Sequence, residues 1–476
     1  MRRTILSVAF MALSLSAFAL DDSRISTMDL TASQLAYYMA PGWNLGNTLD
    51  AGDKKNNDTN YGGLSAETLW QNTKTTQAII DRVKAAGFKS IRISCAWVMG
   101  HISDASTTQI DAAWMARVRE IVDYAINADL YVVINDHWDG GWIEDSFTDV
   151  SEAAMNRNSA KLTALWTQIA EDFKDYDERL IFAGLNEPAH SSGLSASAYV
   201  EALKSYEETF IKAVRATGGN NAKRVLVVQG PATSIDDTYN HYGKMPADEA
   251  ENRLMLEIHS YDPWTFCGLE QDESWGKMQY YWGTGHTLAG AGKRNATDNE
   301  NTLLALYQKM KKYSDAGVPV MLGEYGAFRR NIKSIKGQNQ KKHDEAVSYW
   351  YEKATQYAME CGMIPFAWDQ NYLSYPNYTI FDRSQAEVFD WQSSSANIKV
   401  NGALEGIMKG VEAGKAGYEK YYAPSSTGIQ NIKVDNGSKI DNETVFNIAG
   451  MAVAKGSIPA GAPKGVYIYK GKKIVK

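Results

Sequence analysis

The chain has 476 residues, 44% of them hydrophobic and 22% charged, with a formal net charge of −7. That length buries a large core and leaves room for one large α/β barrel with a small appendage, or for two to three ordinary domains. The acidic balance argues against nucleic acid as a partner, because neutralising phosphates needs clustered Lys and Arg.

Arg2 and Arg3, an apolar stretch from Ile5 to Phe18, and Ala17-Phe18-Ala19 predict a secretory signal peptide over residues 1–19. The stretch is too short to span a bilayer comfortably. No later segment reaches 18 consecutive apolar residues, so no membrane span is expected, and the expected location is secreted or cell-surface.

From about residue 41 to 420, short apolar runs alternate with longer amphipathic stretches. The runs predict strands at Gly42–Gly46, Ser90–Cys95, Tyr131–Asn135, Leu180–Leu185, Val225–Gln229, Leu254–His259, Val318–Gly323 and Ile364–Trp368. Between them the 3.6-residue period predicts helices at Ala66–Ala86, Ala112–Ala128, Ser159–Lys174, Ala196–Ala216, Thr302–Ser314 and Lys341–Glu360. Several end at a glycine, as at Ala86-Gly87, Thr217-Gly218 and Ala316-Gly317. The fifth crossover, around Ser234–Glu251, carries no clear period. Eight strands separated by helices predict an α/β fold, a (β/α)8 TIM barrel, over residues 20–422. A doubly wound sheet would usually carry a G-x-G-x-x-G turn after its first strand, and Gly42-Trp43-Asn44-Leu45-Gly46-Asn47 lacks that spacing.

After Tyr422 the composition changes. Residues 423–430 open with Ala-Pro-Ser-Ser-Thr-Gly and read as a linker. Residues 431–476 contain no Trp, and alternating runs such as Gly465–Tyr469 and Lys473–Val475 predict a small β-rich segment. Its aromatic residues are few, Phe446, Tyr467 and Tyr469, so a sugar-binding appendage is not expected.

All thirteen Trp lie between Trp43 and Trp391. About half read as core; the rest sit beside polar residues at strand ends, where flat faces can stack on sugar rings. Cys95, Cys267 and Cys361 are odd in number, and no disulfide is expected. Cys95 reads as a small core residue inside the second strand. The seven His are scattered without any metal-ligand spacing, so neither metal nor cofactor is expected.

The chemistry lies at the C-terminal strand ends. The fourth strand runs into Asn186-Glu187-Pro188 and the seventh into Glu324-Tyr325-Gly326. One glutamate at such a position is more often a salt-bridge partner than a catalyst. Two at the mouths of strands across one barrel suit glycoside hydrolysis, which needs one carboxyl to donate a proton and another, ionised, to attack or activate water. Arg92 in the second strand can hold a neighbouring carboxylate ionised. His137 follows the third strand, His259 and Tyr261 follow the sixth, and Trp368 ends the eighth.

The blocks Gly42-Trp43-Asn44-Leu45-Gly46-Asn47-Thr48-Leu49, Ile91-Arg92-Ile93, Asn186-Glu187-Pro188, His259-Ser260-Tyr261 and Gly323-Glu324-Tyr325-Gly326 resemble glycoside hydrolase family 5, in order and with plausible spacing. The opening block is most similar to its bacterial endo-β-1,4-glucanase branches. The resemblance implies that Glu187 is the acid/base and Glu324 the nucleophile of a retaining double displacement on β-glucan. It further implies that Asn186 bonds the sugar 2-hydroxyl at subsite −1 and that Arg92 and Tyr261 contact the nucleophile. His137 and His259 would line that subsite, with Trp368 as its floor.

Two blocks depart from the family pattern. His137-Trp138-Asp139 stands where His-His and an acidic residue are common, and Cys95-Ala96-Trp97 replaces a commoner run after the arginine. Both bear on substrate preference, so mannanase, xylanase and xyloglucanase activities stay open beside endoglucanase. A non-catalytic surface glycan-binding protein is the reading from another class; both glutamates, Arg92 and Tyr261 argue against it. In the tail, Phe446–Gly450, Lys464–Ile468 and Gly471-Lys472-Lys473 resemble C-terminal sorting domains of the type IX secretion pathway. That implies a Gram-negative host and secretion machinery as a partner. The expected oligomeric state is a monomer.

Overall fold

Eight short runs, most of them flanked within a few residues by Gly, Asn or Asp, close on one another as parallel strands. In the computed structural model, residues 28–52, 63–189, 193–385 and 402–424 are described, with strand residues 387–388, 444–447, 452–455, 466–469 and 472–475. The predicted signal peptide and all but the first two residues of the predicted linker lie outside these. The strands are β1 (Gly42–Leu45), β2 (Ser90–Ile93), β3 (Tyr131–Asn135), β4 (Leu180–Ala183), β5 (Leu226–Gln229), β6 (Leu254–Ser260), β7 (Val320–Tyr325) and β8 (Met363–Ala367). They form a closed barrel in chain order, with Gly42 of β1 paired to Ser90 on one side and Phe366 on the other. The (β/α)8 expectation holds, each strand within about two residues of its predicted bounds at either end.

Alternation along each strand splits the side chains into two sets. Ile91, Ile93, Val132, Ile134, Phe182, Val228, Leu256, Ile258 and Leu322 pack outward under the helices. Val133, Ile181, Ala183, Val227, Met255, Met321, Ile364 and Phe366 fill the lower barrel. Helix α1 (Ala32–Met39), started by a Thr31/Gln34 capping box, plugs that lower end with Ala32, Leu35, Ala36 and Met39. Above this apolar plug the inward positions turn polar: Asn44, Arg92, Asn135, Gln229, Glu257 and His259, all buried.

The surrounding helices include α2 (Gln77–Ala85), α3 (Ala112–Asn127), α4 (Glu152–Asp172), α5 (Ala196–Ala216), α6 (Glu300–Gln308), α7 (Gln340–Glu360) and α8 (Gly402–Tyr422). Asp111, Ser151, Ser195 and Asn339 cap four of them through side-chain oxygens. The predicted helix 66–86 is instead a short 3-10 turn, Gly63–Thr68, then α2. Glu67 is drawn inward there, taking the Arg117 guanidinium and the Thr75 N–H. The predicted helix 302–314 breaks between α6 and a short turn at Lys311–Ser314. The unclear fifth crossover is a helical turn, Ile235–Asp237, run into a π-turn, Thr238–Tyr242. Cys95 lies beyond the end of β2 rather than within it; all three cysteines are buried and unpaired.

Helix α8 has no counterpart in the predicted elements. Gly402, Gly406, Gly410 and Gly414 recur every fourth residue, which reads as poor helix. They let α8 lie against the backbone of α7: a Cβ on Gly406 would stand 2.1 Å from Ser348 O, and one on Gly410 2.4 Å from Glu352 O. In the tail, Val466–Tyr469 and Lys472–Val475 match the predicted strands. With Thr444–Asn447 and Ala452–Lys455 they form one antiparallel sheet.

Candidate active site

The upper ends of β2, β4, β6 and β7 bring the predicted residues together. Arg92, fully buried, donates from Nη1 to Glu324 Oε1 (2.9 Å) and Asn44 Oδ1 (3.1 Å), and from Nη2 to Asn186 Oδ1 (2.8 Å). Tyr261 OH donates to Glu324 Oε2 at 2.9 Å. Glu324 owes its direction to a bulge. Met321 faces the barrel interior and Leu322 the helices, so strict alternation would turn Glu324 outward. The β6–β7 register slips between Ile258↔Leu322 and His259↔Glu324, which re-aims the glutamate into the mouth.

Glu187 sits four residues beyond the end of β4, with 47% of its side chain exposed to the cleft. Its Oε1 is 2.7 Å from His259 Nδ1, and its backbone N–H donates to Glu144 Oε1 at 2.6 Å. One oxygen from each of Glu187 and Glu324 and a ring nitrogen of His259 lie within 4.8 Å of one another.

Charge in this cluster is coupled. Burial opposes a charged His259, yet Glu324, Glu187 and Glu257 draw its pKa up to about 10. Partial desolvation at the barrel mouth also opposes a charged Glu187, but the His259 hydrogen bond and charge, then Arg92, hold it below the usual carboxylate range. Burial pushes Glu324 up against the pull of His259 and Arg92. With a donor on each oxygen, Arg92 Nη1 and Tyr261 OH, the carboxylate is nonetheless the form the site favours for Glu324. These directions put the proton of the triad on His259, within hydrogen-bond reach of Glu187. Among the described residues this triad alone is close enough to hold a metal ion, but a protonated His259 beside Arg92 opposes a cation there.

His137 is neutral, its pKa lowered well below the ordinary value by burial and by the charges of Arg92 and His259. Asn135 Nδ2 lies 3.2 Å from its Nδ1. Its ring is parallel to that of Trp368, with centroids 5.7 Å apart. Trp368 in turn lies on Gly46, where a Cβ would come within 2.5 Å of the indole; that contact explains the glycine in the opening block. Phe328, Tyr378 and Tyr261 extend this wall. Among the described residues six Trp are fully buried, whereas Trp70, Trp264 and Trp275 are exposed around the barrel.

All eight predicted site residues (Arg92, His137, Asn186, Glu187, His259, Tyr261, Glu324 and Trp368) therefore fall in one cleft. Sequence reading missed Asn44, Glu144, Gln229 and Glu257. Asn44 lay inside a quoted block without a role, and its Nδ2 donates to Gly323 O and Phe366 O, tying β1 to β7 and β8. Glu257 shares the inward face of β6 with His259, so alternation from the histidine pointed to it. Glu144 carried no local signal.

A family model described as cellulase (glycosyl hydrolase family 5) matches residues 52–374. A xyloglucan-specific endo-beta-1,4-glucanase of Bacteroides ovatus is 35% identical over 375 residues, 78% of this chain and 70% of that protein. Endoglucanase A of Paenibacillus barcinonensis is 32% identical over 420 residues, 85% of this chain and 98% of that one. Among solved structures, a GH5 xyloglucan-specific beta-1,4-glucanase from a ruminal metagenomic library is 43% identical with a TM-score of 0.71, covering 81% of this chain and 97% of that chain.

Proposed function

The chain belongs to glycoside hydrolase family 5, and we propose that its endo-β-1,4-glucanase activity runs through a retaining double displacement between Glu324 and Glu187. The observation that carries the reading is the approach of the two carboxylates, with oxygens within 4.8 Å. That close approach suits the short carboxyl separation of a retaining enzyme, roughly 5–5.5 Å.

In the first half, Glu324 Oε attacks C1 of the sugar, the C1–O bond breaks, and the His259 proton passes through Glu187 to the leaving oxygen. Arg92 and Tyr261 keep Glu324 ionised and aimed until the ester forms. In the second half, water attacks C1, Glu187 takes its proton, and Glu324 departs as carboxylate. Asn186, held by Arg92, is placed to bond the 2-hydroxyl, and Trp368 with His137 forms the floor beneath the ring.

The substrate is β-1,4-glucan. A second reading, preference for xyloglucan, is favoured by the identity to two xyloglucan-specific enzymes. Export fits the acidic, polysaccharide-directed chain: Arg2, Arg3 and the following apolar run support a leader, and no helix among the described residues is long and apolar enough to cross a membrane. The tail motif supports a type IX sorting segment in a Gram-negative host.

The test is reducing-sugar release from carboxymethyl cellulose and xyloglucan, with Glu324→Ala beside the parent. The parent should release sugar from at least one and the variant from neither. Comparable release by a folded Glu324→Ala protein overturns the assignment.

A further inference from the structure

One buried charge beneath the cleft has no part in these steps. Glu257, fully buried on β6, shares its Oε1 between Arg92 Nε (2.9 Å) and His259 Nε2 (3.4 Å). Its Oε2 accepts from Gln229 Nε2 at 2.7 Å, and Gln229 Oε1 accepts the Leu185 N–H at 2.9 Å, two residues before Glu187. Strand β7 makes room for it. A Cβ on Gly323 would stand 1.9 Å from Glu257 Oε1, so the residue preceding Glu324 has no side chain because this carboxylate occupies the space.

We propose that Glu257 is a positioning residue for both halves of the reaction, fixing Arg92 under Glu324 and His259 beside Glu187. The proposal rests on the roles given above to Glu187 and Glu324. Its physical basis is charge balance across the cycle. While Glu324 is a carboxylate, Arg92 has two anionic partners. Once Glu324 becomes an ester it carries no charge, and Arg92 would remain as a buried cation with no partner, a costly state. Glu257 keeps it paired through that stage. The same oxygen lies 3.4 Å from His259 Nε2, while Glu187 and Glu324 lie 2.7 and 3.9 Å from its Nδ1; Arg92, paired to that same Glu257 oxygen, is the nearby cation of opposite effect, and His137 is neutral. Glu257 thus favours the protonated imidazole whose proton Glu187 draws on.

The test is the pH dependence of kcat and kcat/KM for Glu257→Gln and Glu257→Asp. Removing a negative charge lowers the proton affinity of His259, Glu187 and Glu324 together. Both limbs of the profile should therefore move to lower pH in Glu257→Gln, by on the order of 1 unit. kcat should fall about 10–100-fold, the usual scale for a group that orients others, with little change in KM. Glu257→Asp, which keeps the charge, should restore the position of the limbs even where its rate stays low. A residue needed only for packing would lower the rate or the folded fraction and leave the limbs in place. Unmoved limbs in folded Glu257→Gln, or an equal shift in Glu257→Asp, overturn the proposal. If Glu257→Gln does not fold, Glu257→Met removes the same charge with a side chain of similar length and should give the same acid-ward shift; no shift there also overturns it. The glutamate roles are tested separately by Glu324→Ala and Glu187→Ala: activity in those variants defeats the double displacement, whatever Glu257 does.

Discussion

Arg92 and Glu324, 232 residues apart in the chain, meet at 2.9 Å inside the barrel; Nη2 of the guanidinium donates to Asn186, and Nε makes an ion-pair contact with Glu257 at 2.9 Å without hydrogen-bond alignment. The pair combines a charge-assisted hydrogen bond with rigid aim, because Asn44, Asn186 and Glu257 leave the planar head no second orientation. A nucleophile so held is ionised and pre-oriented before substrate arrives.

Arg92→Lys keeps the charge and loses the fork. kcat on soluble glucan should fall about 10²–10³-fold, the scale for removing one preorganised donor. Thermal unfolding should also move down, since an ammonium cannot reach Asn44, Asn186, Glu257 and Glu324 together. A variant within a few-fold of the parent would mean that charge alone suffices.

Glu187→Ala should show its role through the leaving group. On polymeric glucan the loss should be on the order of 10²–10⁴-fold, as for a missing general acid. A dinitrophenyl cellobioside leaves without a proton, so its first step should barely suffer and a burst should precede slow turnover. Azide should speed the second step and give a β-glycosyl azide. Equal losses on both substrates, with no burst and no azide effect, would remove Glu187 from the acid/base role.

Glu144 should make stability fall as pH rises. Burial, then the charge of Glu187, raises its pKa to about 8 from an ordinary 4.5. Between those values the folded protein holds a proton that the unfolded chain has given up. The stabilisation is therefore complete below pH 4.5 and is lost as pH climbs through about 8. Glu144→Gln still offers an oxygen to the Glu187 N–H and should remove this slope. It should gain ~1–4 kcal/mol relative to the parent near pH 9, with little difference near pH 4.5. Parallel Tm curves for the two proteins would contradict the assignment.

Gly410→Ala should destabilise despite the better helix propensity of alanine. The new methyl would stand 2.4 Å from Glu352 O and 2.6 Å from Thr355 Cβ, forcing α8 away from α7. The cost should be about 1–3 kcal/mol in urea unfolding, the range for overpacking a close contact. A neutral or stabilising result would mean that the two helices separate freely.

The barrel was legible because each strand is a short apolar run ended by polar or turn residues, and periodicity needs no tertiary knowledge. Glu187 and Glu324 were legible from their place at strand ends and from the family blocks around them. Three features were not. The inward turn of Glu324 depends on a register slip between β6 and β7, a property of two strands that neither sequence announces. Alternation from His259 puts Glu257 on the inward face of β6, but its pairing with Arg92 on another strand appears only when the barrel closes. Helix α8 hides behind glycines that serve close packing rather than flexibility.

The most direct test of the double displacement is proton NMR of the first product from a β-1,4-glucan, recorded before mutarotation. Two successive inversions, at Glu324 and then at water, predict that the new reducing end appears as the β anomer and that α signal grows in only later. An initial α anomer would show a single inversion, and Glu324 could not be the nucleophile.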